Sequence, residues 1–387
     1  MGAPAFTMPG ANVRSTEITP VYAQERSECI PASSLGAGGL LVSLAQADGS
    51  FKPAYRLWAP GDISGCTPAG TATCQRRSMG RGVVGGFDFN GDGKQDIGLL
   101  RNNGFELFLG RAPDDATLTK LTMGCDPVYT APFTTQQTSA PVALGDLDGD
   151  KCDEVAWRYS DGSTRSGIII LFGYDASGVR CGGHKVPTTV RLAADPEVGD
   201  NYLGLGLATT RAGRLLGKTG ADYLATTATS VPYQGVTQQV VLLFNIAELA
   251  KRRPASGEAL VNALDSALTP QVLVHRTRAV GFGTSLVGNV DLTGDGVPEL
   301  IVGAPGATVA SDGGGAVFVY AGGPGATGPL TPLITLTGDV SERANFGQEM
   351  ALVAGSGSTP PTLVVGAPLS YRTGTQNGTA FLVPLGF

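Results

Sequence analysis

Three stretches of this chain fall into one nine-residue frame, and nothing else in the sequence narrows its fold as much. They are Asp88-Phe-Asn-Gly-Asp-Gly-Lys-Gln-Asp96, Asp146-Leu-Asp-Gly-Asp-Lys-Cys-Asp-Glu154 and Asp291-Leu-Thr-Gly-Asp-Gly-Val-Pro-Glu299. Each ends in an acid that leads straight into an apolar run: Ile97 to Leu100, Val155 to Trp157, and Leu300 to Val302. A polar loop feeding a short apolar run reads as a turn entering a buried strand. A second β-rich run follows in each case, at Phe105 to Leu109, Gly167 to Phe172 and Gly315 to Tyr320. The repeating unit is therefore strand, acidic loop, strand, turn, strand.

Other segments keep the strands and lose the acids. Thr362 to Pro368 repeats the pattern of Glu299 to Pro305, and Gly378 to Val383 supplies its next strand. Leu215 to Thr227 is a further copy, with Lys218 at the fifth position, Asp222 at the ninth and Gln239 to Phe244 as the following strand. A weaker sixth copy runs from Gly39 to Leu44, through a turn at Asp48-Gly49-Ser50, to Ala54 to Trp58. The copies recur about every 60 to 75 residues, the length of four strands with their loops, as in one blade of a propeller. Ile246 to Leu268 interrupts the series with apolar residues at helical spacing, which predicts one or two short helices inserted between blades.

Composition agrees with many short strands. The 387 residues include 57 Gly and 25 Pro, more than long helices tolerate, and the 42% hydrophobic content is too high for a disordered chain. Basic residues number 27 against 33 acidic, a formal charge of -6 with no dense basic patch, which argues against nucleic acid as a partner. Lys251, Arg252 and Arg253 form the tightest basic cluster and read as a solvated helix end. No apolar run is long enough to span a bilayer.

The acidic loops have the donor set of a calcium site. Calcium takes six to eight oxygens in forgiving geometry, and alternate side chains of a tight loop can turn several carboxylates inward. The first loop would use Asp88, Asn90, Asp92, the carbonyl of Lys94, and Asp96. In the second these become Asp146, Asp148, Asp150, the carbonyl of Cys152, and Glu154. The third would use Asp291, Thr293, Asp295, the carbonyl of Val297, and Glu299. Glycine at the fourth position, and at the sixth in two loops, permits the backbone angles required, whereas Lys151 stands at the sixth position of the second loop. Three calcium ions are expected. The loops hold too little nitrogen or sulfur for zinc or copper. An EF-hand would need a bidentate Glu at position twelve and flanking helices, and here strands flank the loop.

Phe282-Gly283 ahead of the third loop and Gly303-Ala304-Pro305 after it, with Phe346-Gly347 and Gly366-Ala367-Pro368 repeating both halves, resemble the FG-GAP repeat family found in the heads of integrin α subunits. The resemblance covers most of the chain from about Gly39 onward. It implies an all-β propeller, commonly seven-bladed in integrin heads, with calcium loops on one rim and partner-binding loops on the opposite face. The expected architecture is one domain over residues 1–387, of six or seven four-stranded blades, with the helical insertion at 246–268. Residues 1–38 would supply a closing strand or a degenerate blade, since an unclosed ring leaves an edge exposed.

Six cysteines without metal spacing favour disulfides and an oxidising compartment. Cys66 with Cys74 encloses a short loop and is the first expected bridge, Cys152 with Cys181 the next, and Cys29 with Cys125 follows by elimination. The opening Met1-Gly2-Ala3-Pro4 lacks a charged, then apolar, leader, so a signal peptide is expected to have been removed and the chain to be secreted or held at a cell surface, extracellular or periplasmic.

Propellers host many activities, so function must be read from sites. Histidine occurs only at His184 and His275, neither in a known catalytic motif, and no catalytic residue is assigned. The expected role is an extracellular recognition or adhesion module for protein or carbohydrate partners at the cell surface or in the matrix. The alternative is a polysaccharide-active lyase or hydrolase on the same scaffold, since distant acids such as Asp161, Asp195, Glu197, Asp200 and Glu349 can be brought together by folding.

Overall fold

The structure is a computed structural model that describes residues 40–42, 55–57, 82–101, 104–110, 129–132, 141–160, 166–193, 205–263, 268, 270–277, 279–309, 314–338, 344–353, 360–370 and 378–386. The chain divides into two compact units, Met1–Pro141 and Val142–Phe387. Both are built of strands, in five blade-like sheets with almost no helix.

The first unit holds blade 1, an antiparallel sheet in the order Gly82–Phe87, Asp96–Arg101, Gly104–Phe108 and Tyr129–Pro132. Phe87, Phe89, Leu99, Phe105, Leu107 and Phe108 form its buried interior. In the same unit Leu40–Val42 pairs antiparallel with Tyr55–Leu57. This pair is what the described residues show of the sixth copy, and residues 1–38 lie outside them.

The second unit holds four blades in succession. Blade 2 consists of Val142–Gly145, Glu154–Ser160, Ser166–Phe172 and Thr188–Ala193. Blade 3 is formed by Thr209–Gly213, Tyr223–Tyr233, Val236–Asn245 and Gln271–His275. Blade 4 contains Ser285–Val290, Glu299–Ala304, Ala316–Tyr320 and Ile334–Thr337, and blade 5 Met350–Val353, Thr362–Ala367 and Thr379–Pro384. The first strands of blades 2, 3, 4 and 5 neighbour one another in turn, the propeller arrangement.

Burial explains why these segments are strands. Glu299–Ala304 and Ala316–Tyr320 of blade 4 are buried at every position, because apolar cores shared with blades 3 and 5 cover both faces, and Ser166–Phe172 of blade 2 is buried throughout as well. Three apolar cores fill the gaps between blades 2 and 3, 3 and 4, and 4 and 5. Each fully buried Ile, Leu or Phe in them contributes ~1.5–3 kcal/mol.

The helical insertion is corrected by the structure. Among its described residues only Ile246–Ala250 is helical, one turn capped by the Asn245 side chain, which accepts the N–H of Ala247. Gly257–Asn262 is instead a strand and pairs parallel with Thr188–Ala193 as a fifth, outermost strand of blade 2. Its apolar residues mimic helical spacing because Ile246 and Leu249 on the turn and Val261 and Ala263 at the strand's end all enter one core. Blade 4 makes the same excursion: Gly328–Leu330, between its third and fourth strands, pairs parallel with Gln271–His275 of blade 3. The outer edges of blades 2 and 3 are thus each covered by a strand belonging to the next blade.

No helix among the described residues is long and apolar enough to cross a membrane.

Candidate functional site

All three acidic loops join the first strand of a blade to the second, and they share one hydrogen-bond pattern. The first-position carboxylate gathers backbone N–H groups: Asp88 accepts from Asp92 and Gly93, Asp146 from Gly149, Asp150 and Lys151, and Asp291 from Gly294 and Gly296. At the fifth position Asp92, Asp150 and Asp295 each accept the N–H of position seven, at 2.9, 2.9 and 2.7 Å. The ninth-position acids Asp96, Glu154 and Glu299 are 1%, 0% and 1% exposed and accept the N–H of position two at 2.7, 2.6 and 2.6 Å. The second residue, Phe89, Leu147 or Leu292, is buried and anchors the turn.

The third position varies more. Asn90 and Asp148 accept from the N–H two residues on, at 3.2 and 3.3 Å, while the Thr293 hydroxyl donates to Glu299 at 3.3 Å. Left-handed backbone is required at the sixth position, where Gly93 and Gly296 have φ of 81°; Lys151 adopts 72° there at a cost glycine does not bear.

Burial weighs against the charged form of the ninth-position acids. Burial pushes the Asp96 carboxyl up to about 6, against the N–H bonds it accepts from Gly110 and Phe89. Burial likewise raises Glu299, and raises Glu154 well above the ordinary range. Two backbone donors do not offset desolvation of a buried carboxylate, and a nearby positive charge would. In the second loop, ligand oxygens of Asp146, Asp148 and Glu154 all lie within 4.8 Å of one another. Oxygen donors in a nine-residue turn suit a hard cation such as calcium.

Each loop also has a basic side chain nearby, differently placed. Lys94 reaches Asp92 at 3.0 Å from a side chain 40% exposed. Lys218, in the acid-poor copy of blade 3, lies against Gly296 of the third loop and is exposed. The Arg253 side chain is 6% exposed and enters the second loop, with Nη1 donating to Asp148 at 2.5 Å and to Asp150 at 2.8 Å. The basic run at 251–253 is therefore not one solvated helix end: Lys251 pairs on the surface with Glu248, and the Arg253 side chain is buried. Nothing local in the sequence marks Arg253, because its partners lie about a hundred residues earlier in the chain.

Cys152, at the seventh position of the second loop, forms a disulfide with Cys181, which fixes that loop to the turn after Ser166–Phe172. The bridges expected at Cys66 with Cys74 and Cys29 with Cys125 lie outside the described residues. His275 packs on Phe318 with ring centroids 4.3 Å apart, and its Nδ1 accepts the N–H of Thr277. It lines a cleft with Thr229, Thr237, Gln239, Thr277 and Phe282. The register of blade 3 puts this cleft at the hairpin end of the strands, opposite the end that bears the acidic loops.

Two stretches of the chain match known repeats: residues 88–157 match the FG-GAP-like repeat and residues 282–320 the FG-GAP repeat. The first span contains the loops at Asp88 and Asp146, the second the loop at Asp291 together with Phe282-Gly283 and Gly303-Ala304-Pro305. The chain carries FG-GAP repeats. No curated protein matches it.

Proposed function

We propose that this chain, a carrier of FG-GAP repeats on a bladed all-β scaffold, is an extracellular recognition module stabilised by calcium, similar in role to an integrin α head. The observation that carries the reading is the congruence of the acidic loops: the same frame positions make the same backbone bonds in separate blades, with the ninth-position acid buried in each. Asp88, Asn90, Asp92 and Asp96 would hold one ion and Asp291, Thr293, Asp295 and Glu299 another. The ion would neutralise the loop and lock the first two strands of its blade, with no part in bond making. The second loop has the same acids and a buried arginine among them.

The partner is a protein or a glycan of the cell surface or matrix. The cleft beside His275 supports this, since its threonine and glutamine side chains offer neutral hydrogen-bond donors and acceptors at the end of the blades away from the loops. The Cys152–Cys181 bridge supports an oxidising compartment. The test is a binding screen of the immobilised chain against glycans and matrix proteins, in calcium and in chelator. Saturable binding without change in the ligand is expected, lost on substitution of Gln239 and Thr237 together. Turnover of a polysaccharide would overturn the reading in favour of an enzyme.

A further inference from the structure

The fifth position separates the three loops. One oxygen of Asp92, Asp150 and Asp295 accepts the N–H of position seven in every loop. No described donor meets the other oxygen of Asp295, whereas that of Asp92 meets the half-exposed Lys94. In Asp150 the same oxygen is held by Arg253.

Arg253 uses its whole fork. Besides the two bonds from Nη1 to Asp148 and Asp150, Nη2 donates to the carbonyl of Gly173 at 2.7 Å and Nε to the Thr188 hydroxyl at 3.1 Å. The guanidinium lies over the Phe172 ring, 4.9 Å from its centroid. Gly173 in turn donates its N–H to Glu154, so the ninth-position acid belongs to the same network. A planar, permanently charged group gripped by two carboxylates, a carbonyl, a hydroxyl and an aromatic face is a built site, in contrast to the exposed lysines near the other loops.

Blade 3 repeats the device with a single acid. Asp222, the acid at the ninth position of its copy, is bound by Arg211 through Nε at 3.0 Å and Nη2 at 2.5 Å. Arg211 Nη1 also donates to the carbonyls of Leu144 and Asp146, at the entry to the second loop.

We infer that Arg253 is the resident cation of the second loop: its guanidinium holds the third- and fifth-position oxygens that a divalent ion would need there, so this loop closes without metal. Arg253 sits on the excursion between Ile246–Ala250 and Gly257–Asn262, so the same bonds latch blade 3 to the loop of blade 2. The number of bound ions rests on the calcium reading above, and the latch does not.

Two measurements on the full chain test this. In chelator, Arg253→Gln melts roughly 5–10 °C below the parent, as expected for buried carboxylates left unpaired, and Arg253→Lys recovers part of the loss. If Arg253→Gln does not accumulate as folded protein, Asp148→Asn is melted in chelator instead and shows a smaller drop in the same direction. Equilibrium dialysis with radioactive calcium gives two ions per parent chain, two for Asp148→Asn and one for Asp295→Asn. An Arg253→Gln melt within a degree of the parent in chelator overturns the latch, and a bound ion lost in Asp148→Asn overturns the resident cation. Absence of any bound calcium defeats the calcium reading and leaves the chelator melts to decide the role of Arg253.

Discussion

The hydroxyl of Thr227, in the second strand of blade 3, donates to the carbonyl of Gly283 at 2.6 Å, and both residues are buried. Gly283 is the glycine of the Phe282-Gly283 pair, and it has φ of 82°. A Cβ there would lie 2.6 Å from the Thr227 oxygen. The pair thus marks the joint between consecutive blades: Phe282 enters the core between them, and glycine lets the two backbones approach. Gly347, of the second such pair, accepts from the Ser285 hydroxyl at 2.8 Å.

Gly283→Ala meets both the left-handed angle and the collision, and should cost about 2–4 kcal/mol. Thr227→Val leaves the Gly283 carbonyl without its buried donor and should cost about 1–3 kcal/mol. Urea unfolding of each variant checks the pair, and the two losses should not add, because they break one joint.

Calcium should raise the melting temperature of the chain. An ion bound only to the folded state adds about 2.7 kcal/mol at a hundredfold excess over its dissociation constant. Asp92→Ala and Asp295→Ala should each remove one such increment while leaving recognition by the folded protein intact. Calcium titration followed by thermal melting reads this directly, and a melt that is the same in chelator and in millimolar calcium would exclude it.

Reduction should destabilise blade 2 in particular. The Cys152–Cys181 bridge closes a loop with a sequence separation of 29 residues. Cross-linking a loop of that size is worth about 3–4 kcal/mol in the chain-entropy treatment. Replacing both cysteines with alanine should lower the denaturant midpoint accordingly, and hydrogen exchange should show the loss first in the loop at Asp146.

Lys151→Gly should stabilise the protein. The lysine holds φ of 72° where the other two loops have glycine, and relief of that conformation is worth ~1–2 kcal/mol, less the ~0.4–1 kcal/mol that glycine's freer unfolded chain costs. A net rise of up to about 1.6 kcal/mol by urea titration is expected, with ion binding unchanged at the loops starting Asp88 and Asp291.

The loops and the strands beside them were legible because their determinants are local. Gly91, Gly149 and Gly294 have positive φ at one frame position, and the apolar runs after Asp96, Glu154 and Glu299 become buried strands. The sequence assigns the ninth-position acids to an ion, but their bonds to the second-position N–H groups could not be read from residue types alone. Long-range pairing was the part that stayed hidden. Gly257–Asn262 looks helical in a window of twenty residues because its partner, Thr188–Ala193, lies far outside that window. Arg253 is hidden for the same reason: a basic residue after a helical turn carries no mark that separates solvent from a distant carboxylate.

The borrowed outer strands have a consequence for how the chain is made. Thr188–Ala193 leaves the ribosome with its outer edge open, and that edge stays open while all of blade 3 up to Asn245 is synthesised, until Gly257–Asn262 follows. The edge of Gln271–His275 waits in turn for Gly328–Leu330. An open edge is a template for pairing with another chain, so blades 2 and 3 each pass through an adhesive stage that ends only when the successor arrives. The repeat as written in the sequence is therefore not the unit that completes itself during synthesis. A chain halted just before Gly257 presents blade 2 unfinished, and the final arrangement is laced from one blade to the next in the order of translation.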